Sequence, residues 1–374
     1  AMMTNFVLQL PIALLLPLVS IETHSLRQDI SIAELNTYLE TFFAMQNTTT
    51  VEEWEKSLPT PEEREDMRKL LSYVYRLDVF ENLNGEVLKN YPHLMEYLNI
   101  TVLQGHYCVI HELIPKGPLL FPRMWGYTVI ASKSFARRLV HHSAVHYDSD
   151  GPVCAQAAAL FENTQSRTLA IAGASRYAVK GNHPSECQQK FQLADAAHNN
   201  RTMFHWVSTV LKDLADEEMK AVGKDNGHFF IQWHGMAQTS CMASDVFLSA
   251  GIHNGSIYET DIPVRRLAAS FNRLAEQEMK ASTPREDPDC RLTATTNVFG
   301  RYINGVLLEN VCNTSAEEKN VIGRFAHVEQ KAAGRAYISL WTSVIEDAFP
   351  VSQAGSQLST AFLITIFSVV AFYT

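Results

Sequence analysis

The side chains best suited to chemistry in this 374-residue chain are histidines and carboxylates that fall just after short apolar runs. His146-Tyr-Asp148-Ser-Asp150-Gly151 follows Leu139–Val145, so one imidazole and two carboxylates leave the same segment. His234-Gly235 follows Phe229–Trp233, with a glycine that lets backbone or ligand approach closely. Between them lie Arg176 and Asp195-Ala-Ala-His198, and near the end comes His327-Val-Glu329-Gln330. A hydrolytic zinc site takes three protein ligands from His, Asp and Glu and keeps one position open for water. The metal acidifies that water, and a nearby carboxylate moves its proton. On this chemistry the ligands of a Zn2+ ion are His146, His234 and either Asp150 or Asp148. Glu329 is the general base and acid, and Arg176 holds a substrate carboxylate or polarises the scissile carbonyl. His198 is expected near the site. Each residue also has a plainer reading. A strand-end histidine can be purely structural, Asp148 and Asp150 before Gly151 can build a turn, Glu329 can pair with Arg324 or Arg335, and Asp195 with His198 can cap a helix.

The elements that must position these residues alternate. Strands are expected at 108–111, 127–131, 139–145, 168–172, 229–233, 246–249 and 324–329, and helices at 153–163, 202–222, 263–281 and 333–348. Short apolar strands separated by helices predict an α/β fold with a mixed, mostly parallel sheet covered on both faces. In such a sheet the site lies beyond the strand ends. Residues 26–99 read instead as a helical N-terminal region. Ser31-Ile-Ala-Glu34 fits a capping box, Thr60-Pro61 opens a helix, and Met67, Leu70, Leu71, Val74 and Leu77 recur at helical spacing. The α/β domain is placed at 100–350.

In order along the chain, H-x-x-x-D (146–150), Ala172-Gly173-Ala-Ser-Arg176, D-x-x-H (195–198), Gln-Trp-His-Gly (232–235) and His-Val-Glu (327–329) resemble the zinc-carboxypeptidase-like hydrolases. The pattern is most similar to the branch containing N-formylglutamate amidohydrolases and poly-γ-glutamate hydrolases. That resemblance implies a phosphorylase/hydrolase-like fold with one zinc held by His, an acid and His, plus a catalytic Glu on a late strand. The family's H-x-x-E is not present. The acids fall at positions +2 and +4 from His146, which leaves Asp148 and Asp150 both open as the acidic ligand.

The ends of the chain point to the secretory pathway. The apolar run from Phe6 to Val19, followed by small and polar residues, reads as a signal peptide over 1–25. Residues 351–374 read as a GPI-anchor signal: small residues around Ser352 and Ala354, then an apolar run from Ala361 with no basic flank. Five N-x-[ST] sequons (Asn47, Asn99, Asn200, Asn254, Asn313) suggest a glycoprotein, although a glycan on Asn200 would crowd His198. Six cysteines with no C-x-x-C pair predict up to three disulfides rather than a thiolate metal site. A net charge of −9 without a basic block argues against nucleic acid as a partner.

No G-x-S-x-G elbow, P-loop, G-x-G-x-x-G or H-E-x-x-H helix occurs. Two functions remain. One is a zinc-dependent hydrolase of amide or peptide bonds, acting on a small-molecule or peptide substrate with a carboxylate and attached to the membrane through a GPI anchor only. The other is a non-catalytic, GPI-anchored extracellular binding protein that retains the hydrolase fold.

Overall fold

A mixed sheet runs through the protein. The computed structural model describes residues 27–351, apart from Pro118, 222–226, 254–255 and Gln277. The expected signal peptide (1–25), the C-terminal segment beyond Val351 and the Asn254 sequon lie outside these residues. The strands are β1 (Leu98–Leu103), β2 (Tyr107–Glu112), β3 (Tyr127–Ala131), β4 (Arg138–Ala144), β5 (Ser166–Ile171), β6 (Phe229–Gly235), β7 (Val246–Ser249), β8 (Ala281–Ser282) and β9 (Phe325–Gln330). They are ordered β1-β2-β3-β5-β4-β6-β9-β7-β8.

The sheet is mixed as expected, but it is not mostly parallel. The central pairings β5–β4, β4–β6 and β6–β9 are parallel, as is β7–β8. The pairings β1–β2, β2–β3, β3–β5 and β7–β9 are antiparallel. Connection length accounts for the first of these. Leu103 and Tyr107 are joined by a tight turn in which Gln104 and Gly105 have positive φ, and so short a link can only reverse the chain. Helix-length crossovers lie between the central strands and allow them to run the same way.

Helices cover both faces, as the apolar strands require. On one side α1 (Ile32–Glu40), α4 (Val153–Asn163), α6 (Pro263–Leu274) and α9 (Ile338–Ala348) pack on Ile231, Trp233, Ala326 and Val328. On the other, α3 (Pro61–Arg76) and α5 (Met203–Ala221) cover Cys108, Ile110 and Ile130, while α7 (Val298–Ile303) packs Phe299 against Phe230 and Phe325. The remaining helices are α2 (Val51–Ser57) and α8 (Ala332–Ala336). Capping boxes start α1 at Ser31, α2 at Thr50 and α3 at Thr60, each with a Glu three residues on that bonds back to the cap. Two helices are shorter than the apolar periodicity predicts. The run from 263 stops at Leu274 so that Ala281 can join β8, and the run from 333 breaks at Tyr337 between α8 and α9.

Two disulfides form, Cys187–Cys312 and Cys241–Cys290. The third anticipated bridge does not. Cys108 and Cys154 are buried in core layers on opposite faces of the sheet, and the sheet separates their thiols. The two bridges are compatible with an extracellular protein. Among the described residues no helix is long and apolar enough to cross a membrane.

Candidate metal centre

The parallel strands β4, β6 and β9 deliver their polar residues to one end of the sheet. On β6 and β9 alternate residues share a face, and the register pairs Gln232 with His327 and His234 with Glu329. These four therefore stand side by side, while Ile231, Trp233, Ala326 and Val328 point into the opposite core. His146 follows β4. After it the chain turns at Gly151 (φ +74°) and folds Asp150 back beneath the imidazole. An atom larger than hydrogen on Gly235 would meet the Asp150 carbonyl at 2.1 Å, so glycine is required for this close approach.

His146, Asp150 and His234 are buried, and their ligand atoms lie within 4.8 Å of one another. His234, His327 and Glu329 form a second group of the same tightness, so the two groups share His234. Asp150 Oδ2 is 3.1 Å from His146 Nδ1 and 3.0 Å from His234 Nδ1. Asp148 is exposed on the loop surface and joins neither group, so Asp150 is the acidic member. The cleft above these residues has a volume of about 440 Å³.

A hydrogen-bond chain fixes the tautomer of His234. The Gly300 N–H donates to Asn297 Oδ1, which turns the Asn297 amide N–H toward Gln232 Oε1 (2.6 Å). That oxygen also accepts from His234 Nε2 at 3.0 Å. Burial lowers the pKa of His234, which keeps the ring neutral. With its proton on Nε2, the Nδ1 lone pair faces the Asp150 carboxylate. Two acceptors at this distance need a cation or a proton between them. His327 Nδ1 is likewise buried with no hydrogen-bond partner. These donors fit a divalent ion: two imidazole nitrogens and one carboxylate converge beside an open cleft, each braced from behind.

His146 is braced by Asp195, whose Oδ1 accepts from Nε2 at 2.9 Å and from the Ala197 N–H at 3.1 Å. Burial alone would lower the pKa of His146, but the charges of Asp195 and Asp150 outweigh it and hold the ring at about 9. Burial likewise opposes ionisation of Asp150, and the neighbouring imidazolium overcomes it and keeps the carboxylate well below its usual range. Burial, reinforced by Asp150, pushes Glu329 up to about 8.

Arg176 stands at the centre itself. Its guanidinium bonds Ser149 Oγ at 2.9 Å, contacts Asp150 Oδ1 and abuts His146 Nδ1, so it packs on the ligand side chains while also lining the cleft. His198 lines the cleft without joining either group. Its ring stacks on Phe191 with centroids 3.3 Å apart, and Nδ1 lies 3.1 Å from the Thr296 carbonyl. Burial lowers its pKa to about 4. Asn200 does not line the cleft. Sequence reasoning assigned no role to His327, Gln232 or Asn297. For His327 the signal was available, because two-residue spacing on a strand puts it on the same face as Glu329.

No protein-family profile matches this chain, and no curated protein matches it. Among solved structures it is similar to the gene product Atu2144 from Agrobacterium tumefaciens, with a TM-score of 0.32 and 13% identity. That likeness covers 60% of this chain and 91% of the other.

Proposed function

We propose that the protein is a zinc-dependent hydrolase of amide or peptide bonds next to a carboxylate, acting outside the cell and held at the membrane by a GPI anchor. The observation that carries this reading is the convergence of His146, Asp150 and His234 at the floor of an open cleft that also contains Glu329. A zinc ion held by those three would supply Lewis acidity to a carbonyl and lower the pKa of water. Glu329, buried and beside His234 in the register, takes the proton from the attacking water and returns it to the leaving nitrogen as the C–O bond forms and the C–N bond breaks. Asp195 keeps the His146 ring oriented, and the Asn297–Gln232 pair does the same for His234. Lys190 and Arg291 line the cleft and favour a substrate bearing a carboxylate.

The placement of Arg176 supports a second reading. Its guanidinium already brings positive charge to Asp150 and His146, as it would in a binding protein that retains the fold without the metal. Metal analysis separates the two. In the hydrolase reading purified protein holds close to one zinc per chain, and His234→Ala loses both the metal and the cleavage of N-acyl or γ-glutamyl substrates while remaining folded. Well-folded protein that takes up no metal when zinc is added would leave only the binding reading.

A further inference from the structure

At the opposite end of the sheet, where β4, β6 and β9 begin, a second cleft of about 500 Å³ opens. Four arginines line it: Arg137 and Arg138 at the start of β4, Arg324 just before β9, and Arg266 on α6. Glu218 is the one carboxylate among its described lining residues. Three of the arginines have carboxylate neighbours outside the lining, and Arg324 keeps a donor unspent. Arg324 donates Nε to the His228 carbonyl at 3.0 Å and Nη1 to Asp216 at 2.7 Å, and its buried Nη2 has no partner. Arg138 is engaged, with Nε donating to the Phe349 carbonyl at 3.1 Å, Nη1 to the Thr164 carbonyl at 2.9 Å and Nη2 3.3 Å from Glu346, so it contributes charge to the cleft. Arg266 lies 3.6 Å from Asp261.

His228, 1% exposed, also lines this cleft. Its Nδ1 meets His141 Nε2 at 2.8 Å, while its Nε2 is unpartnered and 3.7 Å from an equally unpartnered Glu218 Oε2. Buried polar atoms without partners are costly. Glu218 Oε2 and His228 Nε2 lie toward each other, while the buried Arg324 Nη2 is a donor that an anion would satisfy. The other wall is apolar: Leu139, Phe229, Pro263 and Phe349. The volume is that of a site for a small organic ligand.

We propose that this cleft binds an amphiphilic anion, a phosphate ester on an alkyl or acyl chain. The guanidinium groups take the phosphate oxygens and the apolar wall takes the chain. This site is independent of the metal centre, because strand polarity puts the two at opposite ends of β4, β6 and β9.

The test is calorimetric titration of the full chain with dodecyl phosphate below its micelle concentration, with inorganic phosphate as the headgroup control. Dodecyl phosphate is expected to bind at least about tenfold more tightly than inorganic phosphate, and the double variant Arg137→Glu/Arg266→Glu to weaken it by about tenfold or more. Arg137 is exposed and the Arg266 side chain is half-exposed, so the variant is expected to fold, with an unchanged thermal midpoint as the check. Co-sedimentation with phosphatidylcholine vesicles, with and without phosphatidic acid, assigns the head to a membrane lipid if only the acidic vesicles bind, and to a free amphiphile if neither does. The proposal is overturned by no binding of dodecyl phosphate, by equal affinity for inorganic phosphate, or by unchanged affinity in the folded double variant.

Discussion

Charge balance among a few buried residues decides what the centre can hold. Among the protein's own groups Asp150 and Asp195 are offset by His146 and Arg176, with Glu329 protonated near neutrality. A divalent cation that displaces the protons of His146 and Glu329 leaves the sum unchanged, which favours that charge over a monovalent ion. Zinc binding at neutral pH should therefore release close to two protons, read from titration heats in buffers of different ionisation enthalpy, and affinity should rise with pH. Proton release near zero would sink this assignment. The stability of metal-free protein carries the same sign. The contribution of His146 is whole below its ordinary 6.5 and is lost as pH rises through about 9, so the thermal midpoint falls across that window. Glu329, raised from 4.5 to about 8, makes stability fall as pH rises between those values. The two aspartates separate by burial: Asp150→Asn should abolish zinc binding and Asp148→Asn should leave it intact, as metal content after dialysis would report. Sequence spacing left both open, since H-x-D-x-D supplies two carboxylates and only the turn at Gly151 determines which one is folded inward.

At the scale of elements, a helix cap sets the protonation of a proposed ligand. Asn297 caps α7 through Gly300 N and, with its other amide atom, holds Gln232 so that His234 must donate from Nε2. Asn297→Asp preserves the cap acceptor but puts a carboxylate where an N–H stood. Gln232 then turns its amide N–H toward the new acid and toward His234, which moves the imidazole proton to Nδ1 and removes the lone pair. Zinc affinity should fall by about 10- to 100-fold with little change in thermal midpoint, measured by chelator competition. Unaltered affinity would show that the cap does not control the tautomer. Most strands could be read in the sequence because full burial on both faces makes them short, unbroken apolar runs, as in Tyr127–Ala131 and Val246–Ser249. Their order could not. Nothing local to β4 says that it inserts between β5 and β6, or that β7 runs against β9, because such pairings join segments far apart in the chain. β1 escaped notice for a related reason: Leu98–Leu103 is half exposed in alternation and lies where the helical texture of the N-terminal region ends.

Across the whole molecule the two disulfides sit on the loops that wall the cleft, not in the sheet. Cys187 precedes Gln188 and Lys190, Cys290 adjoins Arg291, and Cys241 adjoins Ser240. Loops beyond strand ends gain little from sheet hydrogen bonds, so a covalent tie is the means of holding a cleft lining made from segments 125 and 49 residues apart. The core needs no such tie. Cys108 and Cys154 contribute as small apolar groups, and burial raises both thiols far above the range in which a thiolate forms. This division gives a counting experiment on the purified chain. Native protein should resist alkylation at every cysteine, because four are bridged and two are buried in opposite layers. Unfolded in denaturant without reductant it should take up two labels, mapping to Cys108 and Cys154, and after reduction six. No label before reduction would mean a third bridge, which the sheet between the two thiols forbids. Rapid labelling of native protein would mean that one of the two core layers opens without global unfolding.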